Sequence, residues 1–167
     1  MSKKIVVFGC DNSGKTTLAT TIAERINGEV VRSLGPGKTY GEQMEFMRKN
    51  LFDIDKNLVF DRFPYIEEET TGVVIRGKSN FRQAVVDPDV VNSFLKKVDL
   101  FILCFPGIDS IVNWGEREQM DGVKENAEKL VTAYNLMFDK LSKAGYNVIV
   151  YNWHTDSIEN ILEEVRK

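Results

Sequence analysis

The sequence FGCDNSGKTTLAT, residues 8–20, gives the strongest indication of the fold. It contains the pattern G-x-x-x-x-G-K-[ST], in which Gly9 and Gly14 are the glycines and Lys15 and Thr16 follow. An apolar run precedes the pattern, and helix-forming residues follow it. In such a loop between a strand and a helix, backbone N–H groups point inward and the helix adds the positive end of its dipole. The pattern therefore predicts a phosphate-binding P-loop and a protein that binds a nucleoside triphosphate.

The same motif predicts which groups contact the nucleotide. Lys15 is expected to reach the β- and γ-phosphates, and the hydroxyl of Thr16 is expected to bind Mg²⁺. ATP and Mg²⁺ are therefore the expected cofactors. The remaining expected nucleotide-binding residues are Asn12, Ser13, Gly14 and Thr17.

Strands and helices alternate along the chain. Apolar runs predict strands at residues 5–8, 29–32, 58–60, 100–104 and 148–151. Periodic apolar residues or capping signals predict helices over 18–26, 40–51 and 120–143, one beginning at Asp87-Pro88, and a last one capped by Asp156 and Glu159. Residues 62–86 fit helix and loop equally well. The pattern predicts one α/β domain over residues 1–167, a three-layer α/β/α sandwich with a five-stranded, mainly parallel sheet.

Composition excludes several classes of protein. The net charge of −3 argues against general attraction to nucleic acid, and the two cysteines, Cys10 and Cys104, are too few for a zinc site or a disulfide scaffold. No run approaches the roughly 18 apolar residues of a membrane span. We therefore expect a cytoplasmic protein with no membrane partner.

The motif set favours a compact kinase among nucleotide-binding proteins. No Asn-Lys-x-Asp guanine motif occurs, and 167 residues are too few for the added modules of a large motor or transport ATPase. A kinase must neutralise two polyanions with basic groups outside the loop. Asp61 at a strand end is expected to organise Mg²⁺ or the acceptor, and Arg62 to bind phosphate. Arg117, in a lid segment of about 113–121, and Arg32 are further candidates, with solvated surface as the alternative for both.

Several motifs together resemble the thymidylate kinase-like members of the nucleoside and nucleotide kinase group. They are the loop with Asp11 and Thr17, the Arg-then-Gly/Pro stretch of 32–42, and the Asp-Arg-aromatic motif in residues 60–63, followed by Glu116-Arg117 and the segment 152–158. The resemblance implies the P-loop NTPase kinase fold, catalytic roles for Lys15, Asp61, Arg62 and Arg117, and adenine packing near 152–158. It implies that Asp11 contacts the acceptor sugar, and it allows a homodimer.

The acceptor itself stays open at this stage. The resemblance favours a pyrimidine deoxynucleoside monophosphate such as dTMP, but the chain lacks the family's helix with an Ala-Asp-Arg run. Phe63 and Arg76 are candidate acceptor contacts, with core packing and solvated surface as their alternatives. Phage-type kinases are also similar, so a nucleoside or a hydroxymethylated pyrimidine in DNA is an alternative acceptor, although the negative net charge disfavours DNA. A regulatory module that only binds ATP is the alternative of another class. The run Glu67–Glu69 is expected to be solvated.

Overall fold

The structure is a computed structural model that describes residues 1–112 and 125–167. Its strands are β1 (Lys4–Phe8), β2 (Glu29–Arg32), β3 (Leu58–Asp61), β4 (Leu100–Cys104) and β5 (Val148–Tyr151). Its helices are α1 (Lys15–Arg25), α2 (Tyr40–Leu51), α3 (Pro64–Glu67), α4 (Val73–Arg76), α5 (Asn80–Gln83), α6 (Pro88–Leu95), α7 (Ile108–Val112), α8 (Ala127–Lys143) and α9 (Ile158–Arg166). A π-helical turn, Glu68–Gly72, joins α3 to α4.

The five strands form one sheet in the order β2-β3-β1-β4-β5, and every neighbouring pair is parallel. In the register of the sheet, Val7 lies opposite Asp61 and Arg32 also lies opposite Asp61. Because all strands run the same way, their carboxyl ends meet at one edge of the sheet. That edge collects the residues that follow β1, β2 and β3.

Alternate residues of the central strands enter two separate cores. Val6 and Phe8 of β1 pack on one face, in a core that also contains residues of α2 and α8. Ile5 and Val7 pack on the other face, against α1 and α9. A strand buried on both faces needs apolar residues at every position, which explains the continuous apolar run before the loop. The three-layer sandwich with a five-stranded parallel sheet is confirmed.

Residues 62–86, which fitted helix and loop equally, are largely helical. α3, the π-helical turn and α4 follow one another without a break, and Gly77, with φ of 70°, ends the segment in the left-handed conformation. α5 follows after Ser79, whose side chain accepts a hydrogen bond from the Arg82 N–H. A π-helical turn widens the helix locally and is often found at functional sites.

Two helix starts differ from the prediction. The long helix expected from residue 120 begins at Ala127 within the described residues, because 125–126 form a turn; residues 120–124 lie outside the described residues. The capping pair predicted for Asp156 and Glu159 is wrong. Ser157 caps α9 by accepting from the Glu159 N–H, while the carboxylate of Asp156 accepts from the Asn152 N–H at 2.7 Å. In the described part of the chain, no helix is long and apolar enough to span a membrane.

Candidate active site

The glycine-rich loop lies between the carboxyl ends of β1 and β4. Gly9 has a φ of 142°, and a Cβ built on it would lie 2.6 Å from the carbonyl oxygen of Cys104. Gly14 has a φ of 90° and begins α1 as its N-cap. Both positions therefore require glycine, Gly9 because of contact with β4 and both because of backbone conformation.

Lys15 lies inside the loop. Its side chain is almost fully buried, and Nζ donates a hydrogen bond to the Cys10 carbonyl at 2.5 Å. Burial, followed by the nearby Arg62, lowers the pKa of the ammonium, and the carboxylates of Asp11 and Glu67 act in the opposite direction. A buried cation beside the loop carbonyl is positioned to pair with a polyphosphate.

The N-terminus of α1 leaves polar groups for a ligand. Its N-cap is a glycine, which has no capping side chain, and the first turn contains no acidic residue. Ser13 Oγ and Asn12 Nδ2 are buried and have no hydrogen-bond partner in the part of the chain that the structure describes. An anion at this end of α1 would meet uncapped N–H groups and the positive end of the helix dipole.

Thr16 and Asp61 form the pair that fits a magnesium ion. Thr16 Oγ1 donates to Asp61 Oδ2 at 2.7 Å, and Arg32 contacts the same oxygen at 3.3 Å. The second carboxylate oxygen, Asp61 Oδ1, is buried and has no hydrogen-bond partner within residues 1–112 and 125–167. A hydroxyl and a carboxylate are hard oxygen ligands of the kind that Mg²⁺ prefers. The residues present therefore fit the predicted ion.

Arg62 joins the loop to the region beyond β3. It has a φ of 75°, an uncommon conformation for a residue with a side chain, and its backbone N–H donates to the Val7 carbonyl at 3.0 Å. Its guanidinium contacts the carboxylate of Asp11 in the loop and lies 3.6 Å from Glu67. Burial opposes its charge, but the carboxylates of Glu67 and Asp11 outweigh burial and raise its pKa above the usual value. Arg62 is therefore charged and held between two carboxylates.

Glu67 is fixed in turn by the long helix α8. The hydroxyl of Tyr134 donates to Glu67 Oε1 at 2.9 Å and lies 3.0 Å from Thr71 Oγ1. Burial raises the pKa of the Glu67 carboxyl, while Arg62 and Lys15 favour its charged form. The chain of contacts from Asp11 through Arg62 and Glu67 to Tyr134 connects the loop to α8.

A cleft opens beside Arg62. We call it the Arg62 cleft. Its lining residues are Ser33, Leu34, Gly35, Gln43, Arg62, Phe63, Pro64, Glu67 and Glu68. The lining combines apolar side chains with one cation and two carboxylates, so it offers both apolar surface and polar groups to a bound molecule.

Asp11 and Arg76, two predicted acceptor-binding residues, already pair with other side chains. Asp11, expected at the acceptor sugar, contacts Arg62. Arg76, a candidate for phosphate, contacts Glu68 at 2.8 Å and does not line the Arg62 cleft. Their roles toward a substrate remain predictions.

The position of Phe63 bears on its two predicted roles, contact with the acceptor and core packing. Phe63 is completely buried and packs edge-on against Phe60 at 5.5 Å, yet it also borders the cleft. Core packing is thus observed, and stacking on an acceptor base remains a prediction. Arg117 and the whole predicted lid of about 113–121 lie outside the described residues.

The prediction of a solvated run at Glu67–Glu69 is wrong. The exposed fractions of the three side chains are 18%, 5% and 7%. Glu67 pairs with Arg62, Glu68 with Arg76, and Glu69 with Arg82. The π-helical turn that begins at Glu68 alters the usual helical spacing, and each carboxylate reaches a basic partner. No group of three or more His, Cys, Asp or Glu side chains forms a metal site in the described ranges.

Sequence reasoning missed three residues that border or fix the site. Gln43 and Glu68 line the Arg62 cleft, and Tyr134 holds Glu67. Gln43 and Tyr134 each lie in an amphipathic helix, where a polar atom on a buried face is the only sequence signal. Such a signal does not indicate which partner the residue contacts.

The segment after β5 approaches the P-loop from the other side. A Cβ on Gly14 would lie 3.2 Å from the indole of Trp153. The rings of Trp153 and His154 are in contact, with centroids 3.7 Å apart and planes tilted by 31°, and His154 Nε2 lies 2.6 Å from Ser110 Oγ. This placement is compatible with the adenine-packing role predicted for 152–158, which remains a prediction.

Comparison with known proteins identifies the fold. No protein-family model matches the sequence, and no curated protein is significantly similar to it. The YorR protein of Bacillus subtilis, solved in complex with phosphorylated GDP, is similar in structure with a TM-score of 0.71 and 14% identity over 98% of this chain and 94% of that one. Deoxyadenosine kinase from M. mycoides with bound dATP has a TM-score of 0.62 and 17% identity, over 99% of this chain and all of the other. Shikimate kinase from Acinetobacter baumannii, in complex with shikimate, has a TM-score of 0.58 and 13% identity over 99% and 92% of the two chains.

These similarities show that the chain has the α/β fold of P-loop kinases. At such low identity, they show the fold alone. The more specific resemblance to thymidylate kinases is not shown by them.

Proposed function

We propose that this protein transfers the γ-phosphoryl group of ATP to a nucleoside or a nucleoside monophosphate. The observation that carries the proposal is the position of Arg62. Its guanidinium contacts Asp11 in the P-loop and lies near Glu67 of the Arg62 cleft. A cation at this boundary is suited to neutralise charge on a phosphoryl group that moves between two substrates.

In this proposal, ATP and its magnesium ion are bound by residues of the loop and by Asp61 at the end of β3. Lys15 and the N–H groups at the start of α1 bind the phosphates, and Thr16 and Asp61 hold Mg²⁺. When bound, the ion supplies positive charge that offsets the phosphate charge. Asp61 also orients the acceptor oxygen, and Arg62 stabilises the transferred group. We assign the same stabilising role to Arg117, in the predicted lid.

The first candidate acceptor is a pyrimidine deoxynucleoside monophosphate. The motif resemblance favours it, and the position of Arg32 supports it. Arg32 lies 3.3 Å from Asp61 with a largely exposed side chain, so it is available to an acceptor phosphate. Such an acceptor is already ionised and needs no strong base.

The second candidate is the hydroxyl group of a nucleoside. It is favoured by the charges of the cleft lining, because Arg62, the one cation among the described lining residues, already lies between the carboxylates of Asp11 and Glu67 and is less available to a dianionic phosphate. Asp61 Oδ1, which has no hydrogen-bond partner among the described residues, would serve as the base for the hydroxyl proton. The overall chemistry is the same for both candidates.

An acceptor screen tests the proposal. ATP and Mg²⁺ are incubated with each deoxynucleoside, each deoxynucleoside monophosphate, and oligonucleotides that contain hydroxymethylated pyrimidines, and the labelled products are identified. We expect a small-molecule acceptor to gain phosphate, and Arg117→Ala to reduce its rate by roughly 10³-fold. ATP hydrolysis that no acceptor stimulates, together with wild-type behaviour of Arg117→Ala, would instead indicate a regulatory ATP-binding module.

A further inference from the structure

Gln43 has an unusual position in the Arg62 cleft. The residue lies on α2 with 5% of its surface exposed, and it forms part of the cleft lining. Its Nε2 donates to Glu68 Oε1 at 2.8 Å. Its carbonyl oxygen, Oε1, is buried and finds no hydrogen-bond partner in residues 1–112 or 125–167. A buried carbonyl without a donor is costly, so this atom points to a ligand that provides one.

Glu68 determines which end of the Gln43 amide is left without a partner. The carboxylate of Glu68 also accepts from Arg76 and from the backbone N–H of Asn80, both at 2.8 Å. An ionised carboxylate can only accept hydrogen bonds. If the amide rotated by 180°, its oxygen would face a carboxylate oxygen, and the two acceptors would repel each other. Glu68 therefore holds the NH2 group and leaves only the carbonyl to a ligand.

We propose that the Arg62 cleft selects an acceptor whose base carries an exocyclic amino group, and that Glu68 sets this preference by orienting Gln43. This inference rests on the proposed kinase function. The amino group of cytosine, adenine or guanine donates to Gln43 Oε1. Gln43 is the specificity-determining residue, and Glu68 is a positioning residue that acts through it.

The other polar groups of the cleft wall favour the same class of base. The carboxylates of Glu67 and Glu68 retain lone pairs beyond the hydrogen bonds described above. An amino group has two N–H donors and can satisfy two acceptors. Thymine and uracil have one ring N–H with a carbonyl on each side, and those carbonyls would face an acceptor-rich wall. The cleft thus repels an imide edge and attracts an amino group.

The first test uses the wild-type protein. Phosphate transfer from ATP is measured with deoxycytidine, deoxyadenosine, deoxyguanosine, thymidine and deoxyuridine, each as nucleoside and as monophosphate. We expect kcat/KM for the preferred amino-bearing base to exceed that for thymine and uracil by at least about tenfold. An analogue of deoxycytidine with hydrogen in place of the amino group should lose activity to a similar extent.

The second test uses a variant of Glu68 that allows the amide of Gln43 to rotate. In Glu68→Gln, the neutral partner also offers an NH2 group, so Gln43 can rotate and present its own NH2 group to the cleft. We call the kcat/KM for amino-bearing bases divided by that for thymine and uracil the amino-to-imide ratio, and we expect this ratio to fall by at least about tenfold. Glu69→Gln is the matched control, because Glu69 pairs with Arg82 and Ser79 and is not part of the cleft lining. The amino-to-imide ratio of Glu69→Gln should equal that of the wild type.

Gln43→Met is a second variant, which tests the inference even if the Glu68→Gln protein does not fold. Methionine is similar in length and flexible, and it lacks the carbonyl acceptor. Melting temperatures of all variants are compared, and the same loss of ratio is expected in Gln43→Met. An unchanged ratio in a folded Gln43→Met protein overturns the inference.

The outcomes distinguish a failure of the base preference from a failure of the proposed kinase function. Wild-type transfer to thymidine or deoxyuridine that equals or exceeds transfer to the amino-bearing acceptors overturns the base preference and leaves the kinase function intact. Transfer to no acceptor in the panel, with ATP binding retained in calorimetry, overturns the kinase function and the preference with it. Selectivity for amino-bearing bases that is lost in Gln43→Met supports both.

Discussion

Thr16 Oγ1 donates a hydrogen bond to Asp61 Oδ2 at 2.7 Å, although the two residues are 45 positions apart. The contact exists because β1 and β3 are parallel neighbours, so the segments that follow them meet at the same edge of the sheet. It joins the hydroxyl of the P-loop to the first residue of the Asp-Arg motif. The two residues that the sequence predicts as magnesium ligands are therefore in contact, and their binding of the ion stays a prediction.

Asp61→Asn distinguishes the two candidate acceptors. With a hydroxyl acceptor, loss of the base should reduce kcat by about 10²- to 10⁴-fold. With a monophosphate acceptor, the oxygen is already ionised, and the loss should be smaller because only the magnesium and positioning roles are affected. Steady-state rates with a nucleoside and with its monophosphate measure the difference. Asp139→Asn, at an exposed position of α8, is the control and should leave both rates unchanged.

Lys15→Ala tests the phosphate-binding loop. Removal of the buried ammonium should weaken ATP binding and reduce turnover by roughly 10²-fold or more, because the phosphates lose their nearest cation. Calorimetric titration with ATP and the initial rate of transfer give the two quantities. Lys143→Ala, exposed at the end of α8, is the matched control. Wild-type affinity and rate in Lys15→Ala would contradict the assignment of the loop.

Tyr134→Phe tests whether α8 positions Arg62. The substitution removes the hydroxyl that donates to Glu67 at 2.9 Å and leaves the ring in place. With Glu67 less fixed, Arg62 should be less well positioned, so we expect kcat to fall by roughly tenfold with unchanged ATP affinity. In the control, Tyr146→Phe, the lost hydroxyl contacts Asn92 at 3.3 Å, and kcat should not change. Equal rates in the two variants would show that the Tyr134 contact is structural only.

Gly9→Ala tests the close contact between the loop and β4. The new Cβ would lie 2.6 Å from the Cys104 carbonyl oxygen in a backbone conformation that side chains rarely adopt. We expect the free energy of unfolding to fall by about 3 kcal/mol or more. Gly145→Ala, where φ is 86° and the described residues other than its chain neighbours place no atom within 4 Å of the Cβ, should lower it by only about 1–2 kcal/mol. Chemical denaturation measures both, and equal losses would show that backbone conformation alone explains Gly9.

The two thiols should be unreactive in the native protein. Burial raises the pKa of the Cys10 thiol to about 12 and that of Cys104 to about 12, with Lys15 opposing the shift in both. At pH 8 the thiolate fraction should be on the order of 10⁻⁴, and it should rise about tenfold per pH unit until the pH nears the pKa. Labelling with a chromogenic disulfide should be slow in buffer and fast in guanidinium, where the ordinary pKa of about 8.5 applies. Fast labelling of either thiol in the native protein at pH 8 would contradict the burial of that residue.

Much of the fold followed from local patterns. The continuous apolar runs of β1 and β4 predicted strands buried on both faces, and Gly9, Gly14 and Lys15 predicted a loop that the backbone geometry confirms. These features depend on residues adjacent in the chain, so their spacing alone carries the information. The Glu67–Glu69 run shows where local reasoning failed, because ordinary helical spacing did not anticipate the π-helical turn.

The sequence was enough to predict the glycine-rich loop and its phosphate-binding chemistry, because one short stretch contains the glycines, the lysine and the hydroxyl that such a loop requires. The surroundings of the Arg62 cleft, in contrast, depend on contacts between residues far apart in the chain. Gln43 meets Glu68 across 25 positions, and Tyr134 meets Glu67 across 67. Such contacts arise when helices pack on one face of a sheet, and no spacing within a single element encodes which buried polar atom finds a partner and which is left for a ligand.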